Sequence, residues 1–172
     1  MHCDLNNLDA VKGLFQKALD TMGGRIDVLV NCAGIQRRSP SLDFLETDWD
    51  DVRARYAPHL STIFLITITR SRISPLGPSF VYPDTFTFQV LDVNLKSVWL
   101  LSQAAGRHMV PRRQGKIINF CSLLTFQGGI TVPAYAAAKG ALGQLTKALS
   151  NEWSQHNVQV NGICPGYIAT DM

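Results

Sequence analysis

Apolar positions along this chain follow two rhythms. Leu8, Val11, Leu14, Phe15, Ala18 and Leu19 recur at three- and four-residue spacing, which predicts an amphipathic helix from Leu8 to Met22. Asn6 or Asn7 suits its start, since a short polar side chain accepts from the free N–H groups there, and Gly23-Gly24 suits its end. Ile26 to Val30 is apolar without alternation, the mark of a short strand buried on both faces. The small-residue loop Asn31-Cys32-Ala33-Gly34 follows. A turn of helix is expected over Leu42 to Glu46, then Thr47 or Asp48 as the cap of a helix beginning Trp49-Asp50-Asp51.

The helical rhythm returns with Val90, Leu91, Leu95, Val98, Trp99, Leu101, Ala105 and Met109, and is expected to end before Pro111. Gly115 leads into a buried strand, Lys116 to Cys121. Pro133 suits the first turn of a helix from about Ala134 to Gln155, with Ala141, Leu142, Leu145 and Leu149 inward. Val158 to Ile163 is a further strand, and Cys164-Pro165-Gly166-Tyr167-Ile168-Ala169-Thr170 is the loop beyond it. Helix, buried strand and small-residue loop in repetition predict an α/β fold with a doubly wound parallel sheet. Ligands in such sheets bind outside the carboxyl ends of the strands.

Composition narrows the function classes. With 172 residues, 46% of them hydrophobic and 17% charged, the chain suits one domain with a substantial core. The net charge is +3, and residues 52–89 account for it, with Arg53, Arg55, Arg70 and Arg72 against Asp84. The remainder is balanced, so no basic surface for nucleic acid or acidic lipid is expected. Cys3, Cys32, Cys121 and Cys164 form no C-x-x-C pair and lie in or beside apolar runs, which predicts buried free thiols. The histidines are scattered without ligand spacing, so no metal is expected. Met1-His2-Cys3-Asp4 does not read as a signal segment, and Leu60 to Thr69 is too short to span a bilayer; the expected location is the cytoplasm.

One constellation carries chemistry. Tyr135 and Lys139 are four apart on a predicted helix and share a face. Ser122 stands at the carboxyl end of a predicted strand. A neighbouring ammonium lowers the pKa of a phenol from about 10 toward a useful range. A serine hydroxyl can hydrogen-bond a substrate oxygen as charge develops on it. Together the three groups can move a proton to or from a carbonyl.

With Asn31-Cys32-Ala33-Gly34 and Pro165-Gly166, the set Ser122…Tyr135-x-x-x-Lys139 resembles the short-chain dehydrogenase/reductase family. The resemblance implies a Rossmann-type domain and NAD or NADP as cofactor, with NAD slightly favoured. It makes Tyr135 the acid/base, Lys139 the ribose ligand that tunes it, and Ser122 the group that orients the substrate. Asn94, in Val93-Asn94-Leu95, matches the family's helix asparagine that holds a proton-relay water. Asn31, Ala33 and Gly34 would border the adenosine side of the cofactor, and Pro165, Gly166, Ile168 and Thr170 its nicotinamide end. Asp4 matches an adenine-contacting acid, or is an ordinary carboxylate at a helix start. Full-length members are homo-oligomers that act on small molecules, with the helices near 90–110 and 134–155 as the usual dimer faces.

Within the family, Gly34-Ile35-Gln36-Arg37-Arg38, Asp48-Trp49-Asp50-Asp51, Thr125-Phe126-Gln127-Gly128-Gly129 and Asn151-Glu152-Trp153-Ser154-Gln155-His156-Asn157 are similar to sugar-acid dehydrogenases. Those are the 2-deoxy-D-gluconate 3-dehydrogenase, 2-dehydro-3-deoxy-D-gluconate 5-dehydrogenase and gluconate 5-dehydrogenase types. Arg37 or Arg38 would then pair with a substrate carboxylate, or are solvated loop arginines, and Gln127 is a further substrate-side candidate. Two other readings stand beside this one: a 3-oxoacyl thioester reductase, which shares the catalytic set, and a non-catalytic remnant.

The resemblance covers 1–51 and 90–172. Relative to the family the chain starts near the end of the third strand, without the glycine-rich phosphate-binding turn, and stops after the sixth strand. It is thus expected to be one partial, incomplete domain. Residues 52–89 interrupt a helix and hold Pro58, Pro75, Pro78 and Pro83. Val52-Arg53 and Phe88-Gln89 are compatible with the GT and pyrimidine-AG borders of an intron read in frame; a surface insertion is the alternative.

Overall fold

The computed structural model describes residues 3–46, 49 and 89–167. Helix α1 spans Leu8–Thr21, with the Asn7 side chain accepting from the Ala10 N–H at 3.0 Å. Val11, Leu14, Phe15 and Ala18 are its buried face. Gly23 and Gly24 follow at φ +71° and +81°, backbone that favours glycine, and turn the chain toward the first strand.

Strand β1, Val28–Asn31, pairs in parallel with β2, Gly115–Phe120, which pairs in parallel with β3, Val158–Ile163. The expected parallel sheet flanked by helices is present, in the order β1-β2-β3. Helix α2 joins β1 to β2 and is continuous through Gln89–Leu91, Asp92–Lys96 and Ser97–Arg112. A short helix α3, Leu124–Gln127, follows β2; helix α4, Pro133–Trp153, with a 3-10 turn over Ser154–His156, then leads to β3. Along β2, Gly115, Ile117 and Asn119 are buried while Lys116 is exposed and Ile118 and Phe120 are half-buried. That buried side meets both long helices: a Cβ at Gly115 would strike Met109 of α2, and Asn119 bonds Thr146 of α4. Gly106 of α2 lets the Trp153 indole of α4 lie against its backbone, where a Cβ would come within 2.7 Å of the ring.

Three local expectations are corrected. Helix α2 runs through Pro111 to Arg112 and stops at Arg113, whose φ is +51°. Proline's fixed φ is helical, and so near the end its ring removes one hydrogen bond without ending the helix. Arg112 then secures the last turn, donating to the Ile26 carbonyl at 3.2 Å and to the Asp27 carboxylate at 2.7 Å. Second, α2 holds a π-helical turn over Asp92–Lys96, which its apolar spacing does not announce. Third, all four cysteines are free, but only Cys3 and Cys121 are buried; Cys32 and Cys164 are exposed in the loops beyond β1 and β3. Ile168, Thr170, the cap at Thr47 or Asp48 and the segment 52–88 lie outside the described residues.

Candidate active site

Four segments converge at the carboxyl ends of the strands. Beyond β2 the Ser122 hydroxyl accepts from the Leu124 N–H at 3.1 Å, while the Ser122 N–H donates to Thr125 Oγ1 at 3.2 Å. Thr125 in turn donates to the Lys139 carbonyl at 3.0 Å, so one threonine ties the serine loop to α4. A Cβ at Gly143 would sit 2.4 Å from the Thr125 methyl, so glycine there permits the approach. The Leu123 N–H donates to the Pro165 carbonyl at 3.3 Å and joins the serine loop to the Pro165-Gly166 loop.

Tyr135 and Lys139 stand one turn apart on α4. Lys139 Nζ lies 5.6 Å from the centre of the Tyr135 ring, and Ser122 is near enough to the phenol to act on its pKa. Lys139 is 3% exposed and donates to the Phe120 carbonyl at 2.6 Å. Burial lowers its pKa to about 8, with Cys121 and Cys32 opposing. The phenol departs from expectation. Burial pushes it up, Ser122 pulls it down, and Cys121 raises it further. The ammonium is directed at the Phe120 carbonyl and sits over the ring, so desolvation outweighs the lowering that the spacing predicts.

Asn94 occupies the π turn and is 0% exposed. Its amide donates to the Ile35 carbonyl at 2.9 Å and the Val90 carbonyl at 2.8 Å, and its oxygen accepts from the Ile35 N–H at 3.2 Å. The side chain therefore grips the loop beyond β1 as a neighbouring strand would. Gly34 packs beside it: a Cβ there would meet Asn94 Oδ1 at 2.7 Å and Lys139 Nζ at 3.5 Å. Asn31 is buried, and its amide donates to Ser102 Oγ at 3.2 Å and Asn119 Oδ1 at 2.9 Å. Asn119 continues to Thr146 Oγ1 at 2.9 Å, which donates to the Leu142 carbonyl at 2.8 Å. This chain of buried amides joins β1, β2, α2 and α4 directly beneath the site, and each bond in it is satisfied.

The chain matches the short chain dehydrogenase family over residues 1–65 and 77–172. It belongs to that family. The match enters the 52–89 segment from both sides and leaves 66–76 unmatched. The 2-dehydro-3-deoxy-D-gluconate 5-dehydrogenase of Escherichia coli K12 is 37% identical over 169 residues, which is 98% of this chain and 51% of the relative. The 5-keto-D-gluconate 5-reductase of the same strain is 41% identical over 149 residues, 87% of this chain and 44% of the relative. The gluconate 5-dehydrogenase of Burkholderia cenocepacia J2315, solved in complex with NADP and tartrate, superposes with a TM-score of 0.70 at 31% identity, covering 98% of this chain and 51% of that one. The chain spans about half the length of the curated relatives it matches.

This short-chain dehydrogenase chain brings Asn94, Ser122, Tyr135, Lys139 and Gly34 together, with Pro165 held against the serine loop. The remaining candidates stand at the rim or apart. Ala33 is half-buried against the core and Gly166 is exposed. Arg37 donates to the Gln36 carbonyl at 3.0 Å, Arg38 is exposed, and Gln127 is exposed at the end of α3. Asp4 accepts from the Asn6 N–H at 3.0 Å in the turn before α1, the hydrogen bond of a helix-start carboxylate. Thr125 and the Phe120 carbonyl are the positioning groups the sequence reading misses. Threonine at that place gives no signal of its own, and a backbone carbonyl has none.

Proposed function

We propose that this chain carries the proton-transfer residues of an oxidoreductase using NAD or NADP on a hydroxyl or keto group of a gluconate-like or 2-deoxy-gluconate-like sugar acid. One observation carries the reading: the buried Lys139 amine lies 5.6 Å from the centre of the Tyr135 ring, and Thr125 bonds both the Ser122 N–H and the Lys139 carbonyl, so serine, tyrosine and lysine are held at one place. The residues suit the ribose and nicotinamide end of a dinucleotide. A Cβ at Gly34 would fill the space beside Asn94 and Lys139, so the backbone there admits close approach. Gly34, Tyr135, Lys139 and Pro165-Gly166 would hold that end, with Asn31 and Ala33 behind the loop and Asp4 toward the adenine. When bound, the nicotinamide supplies the hydride acceptor or donor.

The chain's side chains handle the proton. Ser122 donates to the substrate oxygen and fixes it beside Tyr135 Oη. Tyr135 gives its proton to a keto oxygen or takes one from a hydroxyl, and Lys139 stabilises the phenolate left behind. Asn94 is a positioning residue, since its amide holds the Gly34-Ile35 loop. Burial favours the protonated phenol, the form that donates a proton to a keto oxygen. Oxidation of the hydroxy acid then rises with pH as phenolate forms.

The names of the relatives support the sugar-acid class, and the B. cenocepacia enzyme was solved with tartrate, a hydroxy dicarboxylate. Arg37, Arg38 or Gln127 would receive the substrate carboxylate. Between dinucleotides the sugar-acid resemblance favours NAD, while that solved relative holds NADP. The described helices include none long and apolar enough to cross a membrane, and we place the protein in the cytoplasm. Titrating NADH and NADPH separately into the purified chain, followed by nicotinamide fluorescence, tests the reading. Saturable binding of one, weakened in Lys139→Ala, is expected; binding of neither contradicts it.

A further inference from the structure

Cys121 and Cys164 are the residues that follow the last paired positions of β2 and β3. The ladder pairs Phe120 with Ile163, and the Cys121 N–H donates to the Ile163 carbonyl at 2.9 Å. Pro165 has no N–H to give the next rung, but the Leu123 N–H donates to the Pro165 carbonyl in the same register, which sets Cys121 and Cys164 opposite one another. Directly opposed residues on adjacent strands stand about 4.8 Å apart at Cα. A disulfide needs about 4.4–6.8 Å.

Orientation agrees with spacing. Side chains repeat every second residue along a strand, so Cys121 shares a face with Asn119, and Cys164 with Gly162. Asn119 reaches Thr146 of α4, and a Cβ at Gly162 would lie 3.7 Å from the Thr146 methyl, so both cysteines face α4. That Cβ would also lie 3.1 Å from Cys121 Sγ, so the sulfur leans toward β3 over the space glycine leaves. After the larger effect of burial, the Cys164 thiol is near enough to raise the Cys121 pKa. Cys164 is exposed and Cys121 is buried, which gives one sulfur access to solvent and keeps the other close behind it.

The geometry points to a dithiol modification site, Cys121–Cys164, that a hydroperoxide converts to a disulfide. The Cys164 thiolate attacks the peroxide oxygen, forming a sulfenic acid and releasing water or an alcohol. The Cys121 thiol then attacks the Cys164 sulfur, forming the S–S bond and releasing water. Two thiols are oxidised and one peroxide is reduced. The bond ties the residue before Ser122 to the residue before Pro165, fixing the two loops of the candidate site relative to each other. A dithiol reductant reverses it.

Hydrogen peroxide added to the reduced, folded chain, followed by alkylation, digestion and mass spectrometry, tests the assignment without reference to activity. The expected result is loss of two thiols per chain and a peptide pair linked through Cys121 and Cys164. Cys32→Ser keeps that link; Cys164→Ser abolishes it and leaves Cys121 alkylatable. Failure to lose thiols, a link through Cys32, or sulfinic acid at Cys164 with Cys121 unlinked would overturn the assignment.

Discussion

Lys139 directs its amine at the Phe120 carbonyl, 2.6 Å away, from a position 3% exposed and 5.6 Å from the centre of the Tyr135 ring. The contact joins α4 to the last residue of β2 and sets the height of Tyr135 over the strand ends. It also opposes the charge on the lysine, because burial lowers its pKa from 10.5 to about 8.

A lysine whose folded pKa is depressed destabilises the fold while it must be charged. The unfolded chain holds more protons than the folded one between about 8 and 10.5, so stability contributed by this group rises with pH through that window. The full effect is on the order of 3 kcal/mol, at about 1.4 kcal/mol per pKa unit. Tyr135 and the buried thiols, raised by burial, act in the opposite sense above their ordinary values. Subtracting Lys139→Met from the parent isolates the lysine. Urea unfolding at a series of pH values should show the parent gaining on the variant as pH rises through the window, and a flat difference would count against the burial.

Removing the Asn94 amide breaks three hydrogen bonds and leaves the Ile35 backbone groups without their partner. Asn94→Ala should cost about 1–3 kcal/mol in chemical unfolding, the penalty of an unsatisfied buried polar group. Asn94→Asp should fare no better, since a carboxylate cannot donate to the Ile35 and Val90 carbonyls. A variant within experimental error of the parent would mean the loop beyond β1 does not depend on this grip.

Gly34→Ala places a methyl 2.7 Å from Asn94 Oδ1. Overpacking of this kind costs about 1–3 kcal/mol. Combined with Asn94→Ala the cost should fall short of the sum, because the second change removes the atom that the methyl strikes. Strict additivity in a double-mutant cycle would disprove the contact.

Residues 52–89 lead to a prediction at the level of the message. If the segment is an intron read in frame, the spliced transcript joins the codon of Asp51 to that of Val90. The 52–65 and 77–89 parts of the family match then reflect chance extension of the alignment. Sequenced transcripts that all retain the segment would show it to be a genuine insertion.

The sheet, its three strands and the long helices were legible because apolar spacing reports burial, and each element buries one side. Tyr135 and Lys139 were legible because their four-residue spacing fixes a common helix face. Other features depend on distant partners that no local window contains. The π turn at Asp92–Lys96 surrounds an amide that bonds Ile35, and the Thr125 bridge bonds Lys139. The direction of the Tyr135 shift differs from the one the spacing predicts for the same reason: spacing gives proximity to an ammonium, whereas burial and the aim of that ammonium decide the balance. Pro111 predicts a stop, but within the last two residues of a helix it costs only one hydrogen bond.

The central claim is that Ser122, Tyr135 and Lys139 form a working proton-transfer site, and turnover by the tyrosine variant tests it most directly. Oxidation of gluconate and 2-deoxy-gluconate by the purified chain with NAD or NADP, followed by nicotinamide absorbance, should rise with pH. Tyr135→Phe should lower it at least about 100-fold, the scale of general acid–base catalysis, while dinucleotide binding is retained. Equal turnover by Tyr135→Phe and the parent, or a parent that binds dinucleotide and oxidises neither acid at any pH, would contradict the account.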